Sequence, residues 1–215
     1  MKTSSLIWMP ILLLALSNLS PGEQRSAQLV RVERERLDVS AELKPAPPAN
    51  ILSVQTSPPF SSEKGLFTIK LPTGFPAFQE KVQAQPTSVG DIELHIFSSE
   101  TASGACIAGY SDYPSATFQG RSTQQMLEDG RDGALKSVNG TLEKQKSITV
   151  QGYPGLSIYG SAMMGNKQVY FRFDYLLVQP RFYQIGFLGY DKTRFEGPEV
   201  TDYFKSFQIT HETHR

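Results

Sequence analysis

Val169, Phe171, Phe173, Tyr175 and Leu177 set an apolar side chain at every second position of one continuous stretch. A period of two belongs to a β-strand, because successive side chains there point to opposite faces. Gly165-Asn166 before the stretch is a hairpin signal, and Gln179-Pro180 after it marks a turn into a further apolar run from Phe182 to Leu188. Connections this short join strands only when they run antiparallel. The C-terminal half is therefore committed to an antiparallel sheet.

Other segments extend the pattern. Leu66 to Leu71 alternates and reads as a first strand, closed by a turn at Pro72 to Gly74. Asp91 to Phe97 alternates with Ile92, Leu94 and Ile96 on one face. Ala105 to Tyr110 is small or apolar on both faces, which suits a central strand covered on both sides. Thr141 to Val150 and Leu156 to Met163 are further strands, separated by Gly152-Tyr153-Pro154-Gly155. A long helix is expected between the early and late strands. Ser122 and Gln125 have capping-box spacing, and Leu127, Gly130, Ala134 and Val138 form one stripe. The small residues in that stripe would let the helix approach a sheet closely, and Asn139-Gly140 supplies a left-handed stop. Pro198 suits the start of a closing helix, with Val200, Tyr203, Phe204 and Phe207 as its apolar stripe. The sum is an α+β domain over residues 61–210, one antiparallel β-sheet flanked by helices. Phe171, Phe173, Phe204 and Phe207 are expected to share the core between the sheet and the closing helix.

The N-terminal quarter differs. Met1-Lys2, the apolar run Leu6 to Leu16 and Ala15-Leu16-Ser17 have the form of a secretory signal peptide over residues 1–17. The run is shorter than the ~20 apolar residues a membrane-spanning helix needs. The expected location is extracytoplasmic, periplasmic or secreted, with no membrane span in the mature chain. Residues 18–60 carry Pro45, Pro47, Pro48, Pro58 and Pro59 and the mixed charges Arg31, Glu33, Arg34, Glu35 and Arg36, which predicts a Pro-rich, charged, flexible arm. Residues 211–215 form a tail. The single cysteine, Cys106, rules out an intrachain disulfide and reads as a buried, inert thiol. The formal net charge is zero, so no field of one sign draws the chain to nucleic acid or anionic lipid.

Motifs for catalysis are weak. Gly155-Leu156-Ser157-Ile158-Tyr159 and Gly160-Ser161-Ala162-Met163-Met164 each miss the final glycine of a nucleophile elbow, and their alternation places them inside a strand. His95 stands alone on a strand, opposite Ile92, Leu94 and Ile96, where it is expected to be half exposed. His211 and His214 lie in the tail, where they could chelate only weakly. No metal site and no cofactor are expected. The densest cluster is Tyr110-Ser111-Asp112-Tyr113-Pro114, which leaves the central strand for a loop. Loops on a rigid scaffold carry function. Tyr110, Asp112 and Tyr113 are the candidate binding residues, set against a plainer reading as tyrosine-capped core and an Asp-initiated turn.

Pro72-Thr73-Gly74-Phe75 after a first strand, a helix between early and late strands, and a closing helix that runs into Phe204-Lys205-Ser206-Phe207-Gln208-Ile209 together resemble the PsbP/DcrB-like superfamily. The resemblance covers about residues 61–210. It implies an α/β/α sandwich around an antiparallel sheet. It also implies a non-enzymatic role, since members are mostly photosystem accessory subunits, envelope proteins and small binding modules. No functional residue of the family carries over, and its metal-linked histidines have no counterpart here.

These readings give an exported, non-enzymatic binding or accessory protein whose partner is a protein or a small ligand, not nucleic acid. The alternatives are an extracytoplasmic hydrolase using carboxylates at strand ends, or a structural envelope component.

Overall fold

The computed structural model describes residues 58–87 and 90–210. The strands are β1 (Phe60–Ser62), β2 (Phe67–Ile69), β3 (Gln79–Thr87), β4 (Gly90–Thr101), β5 (Gly104–Asp112), β6 (Thr141–Val150), β7 (Tyr153–Met164), β8 (Lys167–Val178), β9 (Arg181–Gly189) and β10 (Gln208–Ile209). Helix α1 spans Thr123–Ser137 and α2 spans Pro198–Lys205, with short 3-10 turns at Ser115–Phe118 and Lys192–Glu196. The signal segment, nearly all of the arm, and His211 and His214 lie outside the described residues.

The long alternating stretch is β8, and it sits where its apolar content demands, inside a seven-stranded sheet of order β3-β4-β5-β9-β8-β7-β6. All neighbouring pairs are antiparallel. β5 is an interior strand next to the central β9, covered on both sides as its small residues predict, and Gly104 to Ser111 are buried without a break. A single sheet was expected, but β1, β2 and β10 form a second, three-stranded one. The first predicted strand belongs to that second sheet and pairs with the last residues of the domain, Gln208↔Thr68 and Ile209↔Phe67. A three-residue strand carries no sign of so distant a partner.

Both faces of the large sheet are covered over its inner strands. On one face Met126, Leu127 and Ala134 of α1 pack with Ile92, Leu94, Ile96, Ile158, Phe171, Phe173 and Tyr175. On the other, Val200, Tyr203 and Phe204 of α2 join Phe67, Ile69, Ile209, Phe97, Ala108, Tyr183 and Phe187. The expected four-phenylalanine core is therefore corrected. Phe171 and Phe173 lie under α1, whereas Phe204 and Phe207 lie on the opposite face. Alternation shows which residues share a face, but not which helix covers it.

Local devices set these distances. Ser122 and Gln125 form both halves of the capping box, and Asn139 adopts φ 48° at the end of α1. A Cβ on Gly130 would stand 2.9 Å from Cζ of Phe182, so the helix rests directly on β9. The β6–β7 turn is Gln151-Gly152, both at positive φ, so β7 begins at Tyr153 and not at Leu156 as expected. Pro154 is accommodated because β8 pairs with β7 only from Gly155 onward, leaving Pro154 with one neighbouring strand. Gln151 also clamps β10: its Oε1 accepts from the Ile209 N–H at 2.6 Å, and its Nε2 donates to the Ile209 carbonyl at 3.0 Å.

Candidate functional site

Tyr110 and Asp112 end β5 on the face that carries the small sheet, whereas Tyr113 turns to the α1 face. The three predicted residues therefore do not form one surface. Tyr113 is buried with its ring edge-on to Phe182, 6.4 Å between centroids, and burial pushes its hydroxyl well above the usual range. It is core, as the plainer reading of this corner holds. Tyr110 and Asp112 remain together and gain partners from two other strands.

Across β5 and β9, Asp112 opposes Arg181. The Arg181 Nε and Nη2 donate to the two Asp112 oxygens, each at 2.7 Å, and Nη1 donates to the Lys64 carbonyl at 2.8 Å. The bond to Asp112 raises the guanidinium pKa further still. The same guanidinium lies 4.4 Å from the centre of the Tyr110 ring. On the other side of β5, His95 opposes Tyr110 and stacks on it, with centroids 4.5 Å apart and rings within 3° of parallel. Nδ1 of His95 lies 3.3 Å from Glu80, and Nε2 lies 3.6 Å from Glu93. The result is a ladder across four strands: carboxylates, imidazole, phenol, guanidinium, carboxylate.

This ladder is rigid underneath and charged at its rim. The Tyr110 ring is buried, and its burial raises the phenol pKa. The His95 side chain is only 16% exposed, far less than the half-exposed strand histidine expected. Glu80, Glu93 and Asp112 are 49%, 73% and 51% exposed and face solvent. Val82, opposite His95 on β3, adds an exposed apolar side chain beside them. His95 and Arg181 were not among the predicted site residues. Asp112 and Arg181 are 69 positions apart, and only the pairing of β5 with β9 joins them.

The serines of the failed elbow motifs lie within β7, as their alternation predicts, and both are buried. Ser157 Oγ donates to Asp174 at 2.5 Å, and Arg172 closes on the same carboxylate at 3.1 and 2.9 Å. Asp174 is the one buried carboxylate among the described residues. Cys106 is buried as expected, which pushes its thiol pKa up. Among the described residues, no group of three or more His, Cys, Asp or Glu side chains could hold a metal ion. None of the described helices is long and apolar enough to cross a membrane.

No family model matches the chain, and no curated protein matches its sequence. Its fold is similar to that of several solved structures. One is the solution structure of cyanobacterial PsbP from Synechocystis, 14% identical, with a TM-score of 0.49 over 78% of this chain and 98% of that one. A Pseudomonas aeruginosa protein of unknown function is 10% identical, with a TM-score of 0.44 over 73% of this chain and 98% of that one. A Bacteroides thetaiotaomicron protein is 9% identical, with a TM-score of 0.45 over 74% of this chain and 51% of that one. The chain thus has a weak structural resemblance to PsbP.

Proposed function

We propose that this chain is an exported, non-enzymatic binding or accessory protein, an α/β/α sandwich of PsbP type. In this reading it recognises a cationic segment of a protein partner at the β3–β4–β5–β9 corner. The observation that carries the proposal is the ladder from Glu80 and Glu93 through His95 and Tyr110 to Arg181 and Asp112. Its rings are fixed on neighbouring strands, so little side-chain freedom is lost on binding. Glu80 and Glu93, which among the described residues have only His95 as an ionic partner, face solvent where a partner's cations would meet them. The signal-peptide pattern supports export. The tie of Asp174 to Arg172 and Ser157 favours a structural duty for that carboxylate over hydrolysis.

The test compares the proteins captured from an extracytoplasmic fraction by the wild-type chain and by Glu93→Gln/Asp112→Asn. A protein retained by the wild type and lost by the variant supports the reading. An interface hot spot there would weaken binding by ~2 kcal/mol or more. Identical captured sets, with the variant folded, would remove the corner from consideration.

A further inference from the structure

At the opposite end of the large sheet, on the same face as α2, tyrosines and cations alternate. Tyr159 of β7 stands between Lys144 of β6 and Arg172 of β8, its register partners on either side. Lys144 Nζ is 5.7 Å from the centre of that ring, and Arg172 Cζ is 5.4 Å from it. Two residues before Arg172 on β8, Tyr170 has Lys192 Nζ 5.5 Å from its ring centre. Lys146, two residues from Lys144, falls on the same face by strand alternation. Met163 of β7 also lies on this face and is 60% exposed.

The charges are not balanced locally. Asp174 neutralises Arg172, and Glu143 accepts from Lys192 at 2.6 Å. Lys144 and Lys146 are exposed, and neither has a carboxylate partner among the described residues. The face thus offers two ring-and-cation units side by side, with uncompensated positive charge along one flank. Arg172 is itself locked, since its guanidinium also lies 3.7 Å from the centre of the Phe204 ring on α2.

We infer that this β6–β7–β8 face binds an anionic polysaccharide, a chain of sugar rings carrying carboxylates or sulfates. The cations over each ring suit acidic substituents, and the half-buried rings beneath them add apolar surface for the C–H groups of sugars. Side-by-side repetition suits a polymer. An acidic peptide added as an extra strand fits less well. The outer strand β6 shifts register between Leu142 and Lys144, and such a bulge disrupts the edge that strand addition needs. The site lies apart from the β3–β5 corner and does not depend on its function.

The experiment titrates the full chain with polygalacturonate, dextran sulfate and uncharged dextran by isothermal calorimetry at low and at physiological salt. Either polyanion should bind, and more weakly at the higher salt; carboxylate against sulfate preference identifies the substituent. Uncharged dextran should not bind. Lys144→Gln/Lys146→Gln, both exposed positions, should keep the fold by circular dichroism and lose about tenfold in affinity, as two modest surface contacts allow. Glu93→Gln, at the other end of the sheet, should bind as the wild type does. Equal affinity for dextran and the polyanions overturns the proposal. So does a folded double-lysine variant that binds both polyanions as the wild type does. Self-association at low salt, abolished by both the lysine pair and Glu93→Gln, would assign the face to a second copy instead.

Discussion

Tyr110 and Tyr113 are three positions apart and lie on opposite sides of the sheet. Their chemistry differs accordingly. Tyr113, Tyr175 and Tyr203 are buried tyrosines whose phenol pKa values are pushed up by desolvation. A raised folded-state pKa means that this stability is fully present below the unfolded value of about 10 and is lost as pH rises through the folded value. Phenolate absorbance in an alkaline titration should therefore reveal tyrosines that do not ionise until the chain unfolds. Simultaneous ionisation of all nine tyrosines near pH 10 in the folded protein would contradict the burial. Asp112→Asn removes a half-exposed charge and should change stability by less than about 1 kcal/mol. Phe173→Ala opens a cavity where the ring lies across Gly186, whose own Cβ would stand 2.3 Å from Cε1 of Phe173. That loss should reach ~3–5 kcal/mol in denaturant unfolding. The buried character of Phe173 was legible from alternation alone. The environment of Asp112 was not, because its partner Arg181 is placed by strand pairing.

At the scale of elements, α1 was readable at both ends. Ser122 accepts from the Gln125 N–H at 3.2 Å, and Gln125 Oε1 accepts from the Ser122 N–H at 2.9 Å. Ser122→Ala should cost about 1 kcal/mol, measured as a lowered midpoint of chemical unfolding. Gly130→Ala tests the close approach. Intrinsic propensity favours alanine by about 1 kcal/mol in a helix interior. Here the new methyl meets the fully buried Phe182 ring, so the variant should be less stable. A stabilised Gly130→Ala would show that the helix can lift from the sheet at no cost. β3 was not foreseen. Gln79 to Thr87 holds a single large apolar residue, Val82, and an edge strand with so little to bury writes no alternation into the sequence.

For the molecule as a whole, the arm should be separable from the fold. Deleting residues 18–57 is expected to move the thermal midpoint by only a few degrees, as a change of about 1 kcal/mol or less would do. A much larger drop would mean that the arm contributes to the core. The domain itself begins earlier than its expected start: Phe60 lies in β1, with its ring 5.0 Å from that of Phe78 and 5.1 Å from that of Phe97. By itself the sequence determined the antiparallel class, the interior place of β5, both helices and the two hairpins at Gly165-Asn166 and Gln179-Pro180. Those are consequences of local period, small residues and turn chemistry, which act within a few positions. Tertiary structure alone decided that β1, β2 and β10 leave the main sheet, that α1 and α2 cover opposite faces, and which charged side chains meet. Each of these turns on contacts between residues remote in the chain, and both faces of the inner strands are buried, so apolar pattern alone does not distinguish them.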